Sequence, residues 1–246
     1  GSQMADEGNV VTGAQRTAAK VAAVAFPVSI AFLAYANFGV RGPLMASADP
    51  AGKVRIIAAA ESLFRLSVVF DLVYCAGFII LLSALYVVLS PVNRYLALLA
   101  GVSKLIYAVT AVMMALSFLE VVRFATDPTL LQSLGTEQLQ VMVGLNSAAA
   151  WDQYYVGLVF WALSSTLFGW LWLRSRYIPA ALAIFGIVSS GWCLLCAVAY
   201  IARPSFSNVV NVWLFDMPMA LFYIALSAWL LFKGLRGRAG PVREAS

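Results

Sequence analysis

Long apolar runs alternate with short polar breaks along this chain. Six runs reach the roughly 20 mostly apolar residues that a membrane-crossing helix needs; they cover 20–40, 66–89, 96–120, 152–173, 178–201 and 211–233. The breaks differ in kind. Ser90-Pro91-Val92-Asn93-Arg94 and Arg174-Ser175-Arg176-Tyr177-Ile178-Pro179 are tight, and short connections force antiparallel neighbours, so the pattern predicts two helical hairpins. The break from Arg41 to Arg65 opens with Gly42-Pro43, and its end, Val54 to Glu61, reads as an amphipathic helix feeding directly into the second span. After Asp127-Pro128, residues 136–150 resemble a short capped helix begun by Gly135 or Thr136, with the fourth span opening separately at Asp152. Residues 4–15 are small and polar and read as a frayed tail, and residues 236–246 form a basic tail. Gly1-Ser2-Gln3 reads as a cloning remnant ahead of a natural start at Met4.

Composition makes the pattern decisive. The chain is 63% apolar and 11% charged, where a soluble domain is roughly 45–50% apolar and about 25% charged. This excludes the water-soluble globular class, a nucleic-acid-binding arm and a disulfide scaffold. The predicted fold is all-α, a polytopic membrane protein of one domain. The chain has no histidine, which removes histidine-ligated haem, histidine zinc sites and histidine-based triads. No phosphate-cradling glycine motif is present. No cofactor or metal is expected, and an enzyme is not the leading class. Cys75, Cys193 and Cys196 all lie in apolar runs. Cys193-Leu194-Leu195-Cys196 sits inside a span, whereas redox pairs sit at helix N-termini, so these thiols read as small packing groups.

Lysine and arginine bias sets an expected orientation. Arg16, Lys20, Arg94, Arg174, Arg176, Lys233, Arg236, Arg238 and Arg243 fall on one side, against Arg41, Lys53, Arg55, Arg123 and Arg203 on the other, with Arg65 near its border. Both termini are therefore expected in the cytoplasm. Membrane lipids are expected partners, the basic C-terminal residues facing an anionic leaflet.

The stretch from Leu85 through Ser90-Pro91-Val92-Asn93-Arg94 to Leu99 resembles a bacterial membrane family, domain of unknown function 4386. So do Leu63-Phe64-Arg65-Leu66, the run Tyr155 to Phe160, and Ser175-Arg176-Tyr177-Ile178-Pro179. The resemblance implies a multi-span protein of a bacterial inner membrane. It brings no catalytic residues with it.

Ionisable groups inside a bilayer are expensive and mark function by default. Asp71, Asp152 and Asp216 all fall toward the outer ends of their predicted spans, above Tyr74, Tyr155 and Tyr223 on the same helix faces. One reading joins them into an outward acidic vestibule for a small organic, amphipathic or cationic ligand. The other makes Asp152 and Asp216 helix N-terminal groups and leaves the rest as ion pairs. Glu61 and Arg65, four apart, share a face and can pair. Asp71 lies about 120° around the helix from Arg65, so its partner must come from another helix or from water. Lys104 falls roughly 13 Å into the third span. Its functional alternatives are an anion or headgroup contact, a proton relay, an uncharged amine or a Schiff-base lysine; its structural ones are a lysine snorkelling to the interface or a buried structural pair.

Overall fold

The computed structural model describes residues 10–47 and 49–239. The chain begins with β1 (Val10–Val11) and α1 (Gly13–Ala34), which runs into a π-helical segment, Tyr35–Arg41, and the short α2 (Gly42–Met45). Then come α3 (Pro50–Ala59), α4 (Glu61–Leu89), α5 (Arg94–Thr126), α6 (Pro128–Leu134), α7 (Thr136–Ser175) and α8 (Ala180–Ala202). A 3₁₀ turn, Pro204–Asn208, leads to α9 (Trp213–Phe232) and β2 (Arg238–Ala239). Among the described residues, six helical stretches are long and apolar enough to cross a membrane. The all-α polytopic fold is therefore the observed one.

Local chemistry explains where the helices begin. Thr12 and Gln15 form a reciprocal capping box on α1: the Gln15 backbone N–H donates to Thr12 Oγ1 at 3.2 Å, and the Thr12 N–H donates to Gln15 Oε1 at 3.0 Å. Asp49 caps α3 and Asp127 caps α6, each accepting from two backbone N–H groups, with proline as the first helical residue. Asn93 Oδ1 accepts from the Leu96 N–H at 3.0 Å at the head of α5. The second tight turn, Arg176 to Pro179, uses other means: Arg176 takes a left-handed backbone (φ 56°), and the Tyr177 N–H donates to Ser175 Oγ at 3.3 Å.

Three expectations are corrected. The stretch read as frayed at 4–15 is structured from Val10 onward, because Gln15 is buried and its amide donates to the Val88 carbonyl at 2.9 Å; residues 1–9 lie outside the described ones. The helix before the second span stops at Ala60, which leaves the helical region (φ −114°, ψ 30°), so α3 and α4 are separate. Conversely, the short helix and the fourth span are one continuous α7 of 40 residues. Asp152 therefore lies within a helix and caps nothing. No proline interrupts Ala148-Ala149-Ala150, and alanine is the best helix former.

The chain divides into two compact units. The first unit comprises residues 1–27, 78–107 and 158–246, and the second comprises 28–77 and 108–157. In the first unit α8 packs along α9. Its close approach depends on Gly186, where a Cβ would stand 2.6 Å from the Phe222 ring. Pro218 lies inside α9 and has no N–H to give the Leu214 carbonyl one turn back. Trp192 on α8 replaces it, its indole N–H donating to that oxygen at 2.8 Å. In the second unit Ile57, Phe64, Phe118, Val122 and Val143 form a core, with Phe64 edge-on to Phe118 at 6.2 Å.

Candidate functional site

The buried stripe of α5 runs Ala97, Ala100, Gly101, Lys104, Tyr107, Ala108, at the three- and four-residue spacing of a packed helix face. Lys104 stands on that stripe, so the helix turns its side chain inward, where it is fully buried. Its Nζ donates to the Tyr223 hydroxyl at 2.9 Å. That hydroxyl shares a 2.8 Å hydrogen bond with Ser165 Oγ. The ammonium also lies 4.8 Å from the centre of the Tyr223 ring and 5.5 Å from that of Phe78, within cation–π range.

Further aromatic rings complete the surroundings. Phe26 stacks on Tyr223 at 4.9 Å, and Trp161 stacks on Tyr107 at 5.2 Å. Trp161 also stands edge-on to Phe78 at 5.6 Å. The Trp161 indole N–H lies beside the Tyr223 hydroxyl but closes no hydrogen bond. Among the described residues the ion pairs are Arg41–Asp71, Arg55–Asp49 and Arg65–Glu61. None of them involves Lys104, whose amine is left with a phenol and aromatic faces.

Asp71, in the second unit, is arranged differently. Arg41, at the end of the π-helical segment, forks onto both carboxylate oxygens, one at 2.8 Å and the other closer still. Two further donors go to Asn37 Oδ1, from Nε at 3.2 Å and Nη2 at 2.7 Å. The guanidinium lies 4.4 Å over the Phe118 ring. A bidentate fork of this kind is the strong form of ion pair. Asp71 therefore offers no unmatched negative charge.

The other candidate residues are placed as follows. Arg65 Nε donates to Glu61 Oε1 at 2.7 Å, the predicted four-residue pair, both side chains being largely exposed. Asp152 is exposed on α7 in the second unit, together with half-buried Tyr155 and buried Tyr74. Asp216 is in the first turn of α9 in the first unit, where Tyr223 faces Lys104 instead of a carboxylate. Sequence reasoning did not place Arg41, Phe26 or Ser165 in a site. The spacing of Trp161 and Ser165, four apart within one apolar run, was the available signal for Ser165. Cys75, Cys193 and Cys196 are buried free thiols. Among the described residues no group of three or more cysteine and acidic side chains could hold a metal ion.

Residues 21–234 match the model of a single family, Domain of unknown function (DUF4386). The chain belongs to this family. No curated protein and no solved structure matches it. This member of the family is an integral, multi-pass membrane protein, and the family carries no assigned reaction.

Proposed function

We propose that this protein binds, and in doing so transports or senses, a small amphipathic organic ligand within the membrane. The observation that carries this reading is Lys104: fully buried in a membrane span, hydrogen-bonded to Tyr223 and paired with no carboxylate among the described residues. A lone ion in a low-dielectric setting costs several kcal/mol, and such groups mark functional sites by default. The acids carry less of the argument, since Arg41 already matches Asp71. The lysine and arginine bias of the turns supports an orientation with both ends in the cytoplasm of a bacterial inner membrane.

Native mass spectrometry of the detergent-purified protein tests this. The wild type is compared with Lys104→Met, Asp71→Asn, Asp152→Asn and Asp216→Asn. The expected result is a discrete bound species on the wild type that Lys104→Met loses. A bare mass, or the same bound species on all five proteins, would overturn the binding reading. Either result would favour an accessory membrane subunit.

A further inference from the structure

We propose that the cluster around Lys104 is a carboxylate site that takes the head of a small organic acid with an apolar or aromatic body. The proposal rests on the binding reading above and names its ligand class. It starts from an imbalance of hydrogen-bonding groups. An ammonium carries three N–H donors and accepts nothing, and an indole N–H only donates. Lys104 gives one donor to Tyr223. The Tyr223 and Ser165 hydroxyls share one hydrogen bond, in which one donates and the other accepts. The Trp161 indole N–H, on a side chain only 2% exposed, is given to nothing. The cluster thus holds uncommitted N–H groups on two side chains and lacks an acceptor with negative charge. A carboxylate supplies both, with two oxygens able to meet two donors. A metal ion or an organic amine would meet the like charge of the Lys104 ammonium.

Open space lies on the same helix face as Lys104. Gly101 is buried on α5, one turn before Lys104 on the same stripe, yet a Cβ built on it meets no atom within 4 Å. Gly186 in the same unit shows the contrast, a Cβ there being 2.6 Å from Phe222. The absent side chain at Gly101 leaves open space one turn before Lys104 on the same helix face. Phe26 and Phe78 supply apolar walls for the body of the acid.

The test titrates the purified, full-length protein with sodium benzoate and sodium octanoate. Methyl benzoate and methyl octanoate serve as uncharged controls, and sodium chloride as a bare anion. The readout is the thermal unfolding midpoint, which a ligand of the native state raises by mass action. At least one acid is expected to raise it; benzoate acting alone identifies an aromatic acid, and octanoate acting alone an aliphatic one. The esters and chloride are expected to leave it unchanged. Lys104→Met is expected to weaken the acid at least ~30-fold, the consequence of removing one partner of a buried charge pair. Gly101→Leu keeps the amine but fills the space, and is expected to abolish the shift as well. It carries the test if Lys104→Met fails to fold.

Equal shifts from acid and ester, a shift from chloride alone, or full binding by Gly101→Leu would each overturn the carboxylate assignment. A discrete non-acidic species that native mass spectrometry finds on the wild type, and that Lys104→Met loses, would overturn it while leaving the binding reading intact. Absence of any bound species together with no response to either acid would overturn both.

Discussion

Arg41 and Lys104 are two cations buried in membrane spans, and their surroundings differ in kind. Arg41 has a carboxylate on its fork, an amide beneath it and a ring on its face. Lys104 has a phenol and rings. Opposite mutational behaviour follows. Asp71→Ala strands the Arg41 charge and is expected to destabilise the fold by about 3–5 kcal/mol. The double change Arg41→Leu with Asp71→Leu is expected to recover most of that loss. Lys104→Met removes a charge that has no ionic partner and is expected to be neutral or stabilising. Chemical unfolding in mixed micelles measures all three. A double variant as weak as the single one would mean that the Arg41–Asp71 pair does more than balance charge. The need of Asp71 for a partner from another helix was legible in the sequence, because Arg65 lies on the wrong face. Arg41 was not legible as that partner. Its position depends on a π-helical segment, closed by the Gly42 N–H reaching the Asn37 carbonyl, and apolar periodicity does not register such a widened turn. The union of Lys104 with Tyr223, 119 residues away, was equally hidden. Each stood out as a polar group in an apolar run, but only packing joins them.

At the scale of elements, apolar run length located every span, and proline and asparagine located the tight turns. The error lay in reading a charge as a boundary. Asp152 looked like a cap because capping residues are short and acidic, but a cap also needs a helix that cannot extend backward past it. Residues 136–151 extend it without difficulty. Glycines were another weak signal, since the sequence does not distinguish those that packing requires from those it leaves open. The structure separates two of them and predicts opposite outcomes. Gly186→Ala drives a methyl into the buried Phe222 ring between α8 and α9, and is expected to cost roughly 1–3 kcal/mol as an overpacking change. Gly101→Ala meets nothing, and is expected to be neutral or to gain up to about 1 kcal/mol from helix propensity. Unfolding midpoints of the two variants check this. A neutral Gly186→Ala would show that α8 and α9 separate at little cost.

For the molecule as a whole, six spans require both ends on one side of the membrane, and the strand pairing demands the same on separate grounds. Val10 and Val11 lie in register beside Arg238 and Ala239 as a short parallel pair. Arg16 reaches the Gly237 carbonyl at 3.4 Å, and the Arg236 N–H donates to the Tyr177 carbonyl at 2.8 Å. Two segments joined by backbone hydrogen bonds cannot face opposite compartments. With the charge bias added, a green fluorescent protein fused at either end in a bacterial host is expected to fluoresce, and an alkaline phosphatase fused there to stay inactive. An active phosphatase would reverse the proposed orientation, and opposite results at the two ends would break the span count.

The paired strands also make the backbone nearly a ring. Joining Ala239 to Val10 through a few glycines would turn a hydrogen-bonded clasp into a covalent one, and the Ser90–Asn93 turn is a natural place to open the ring again. In such a circular permutant the spans would enter the membrane in a new order while keeping their neighbours. Whether it still folds would show if assembly in the bilayer depends on the sequence of insertion or only on the packing reached at the end.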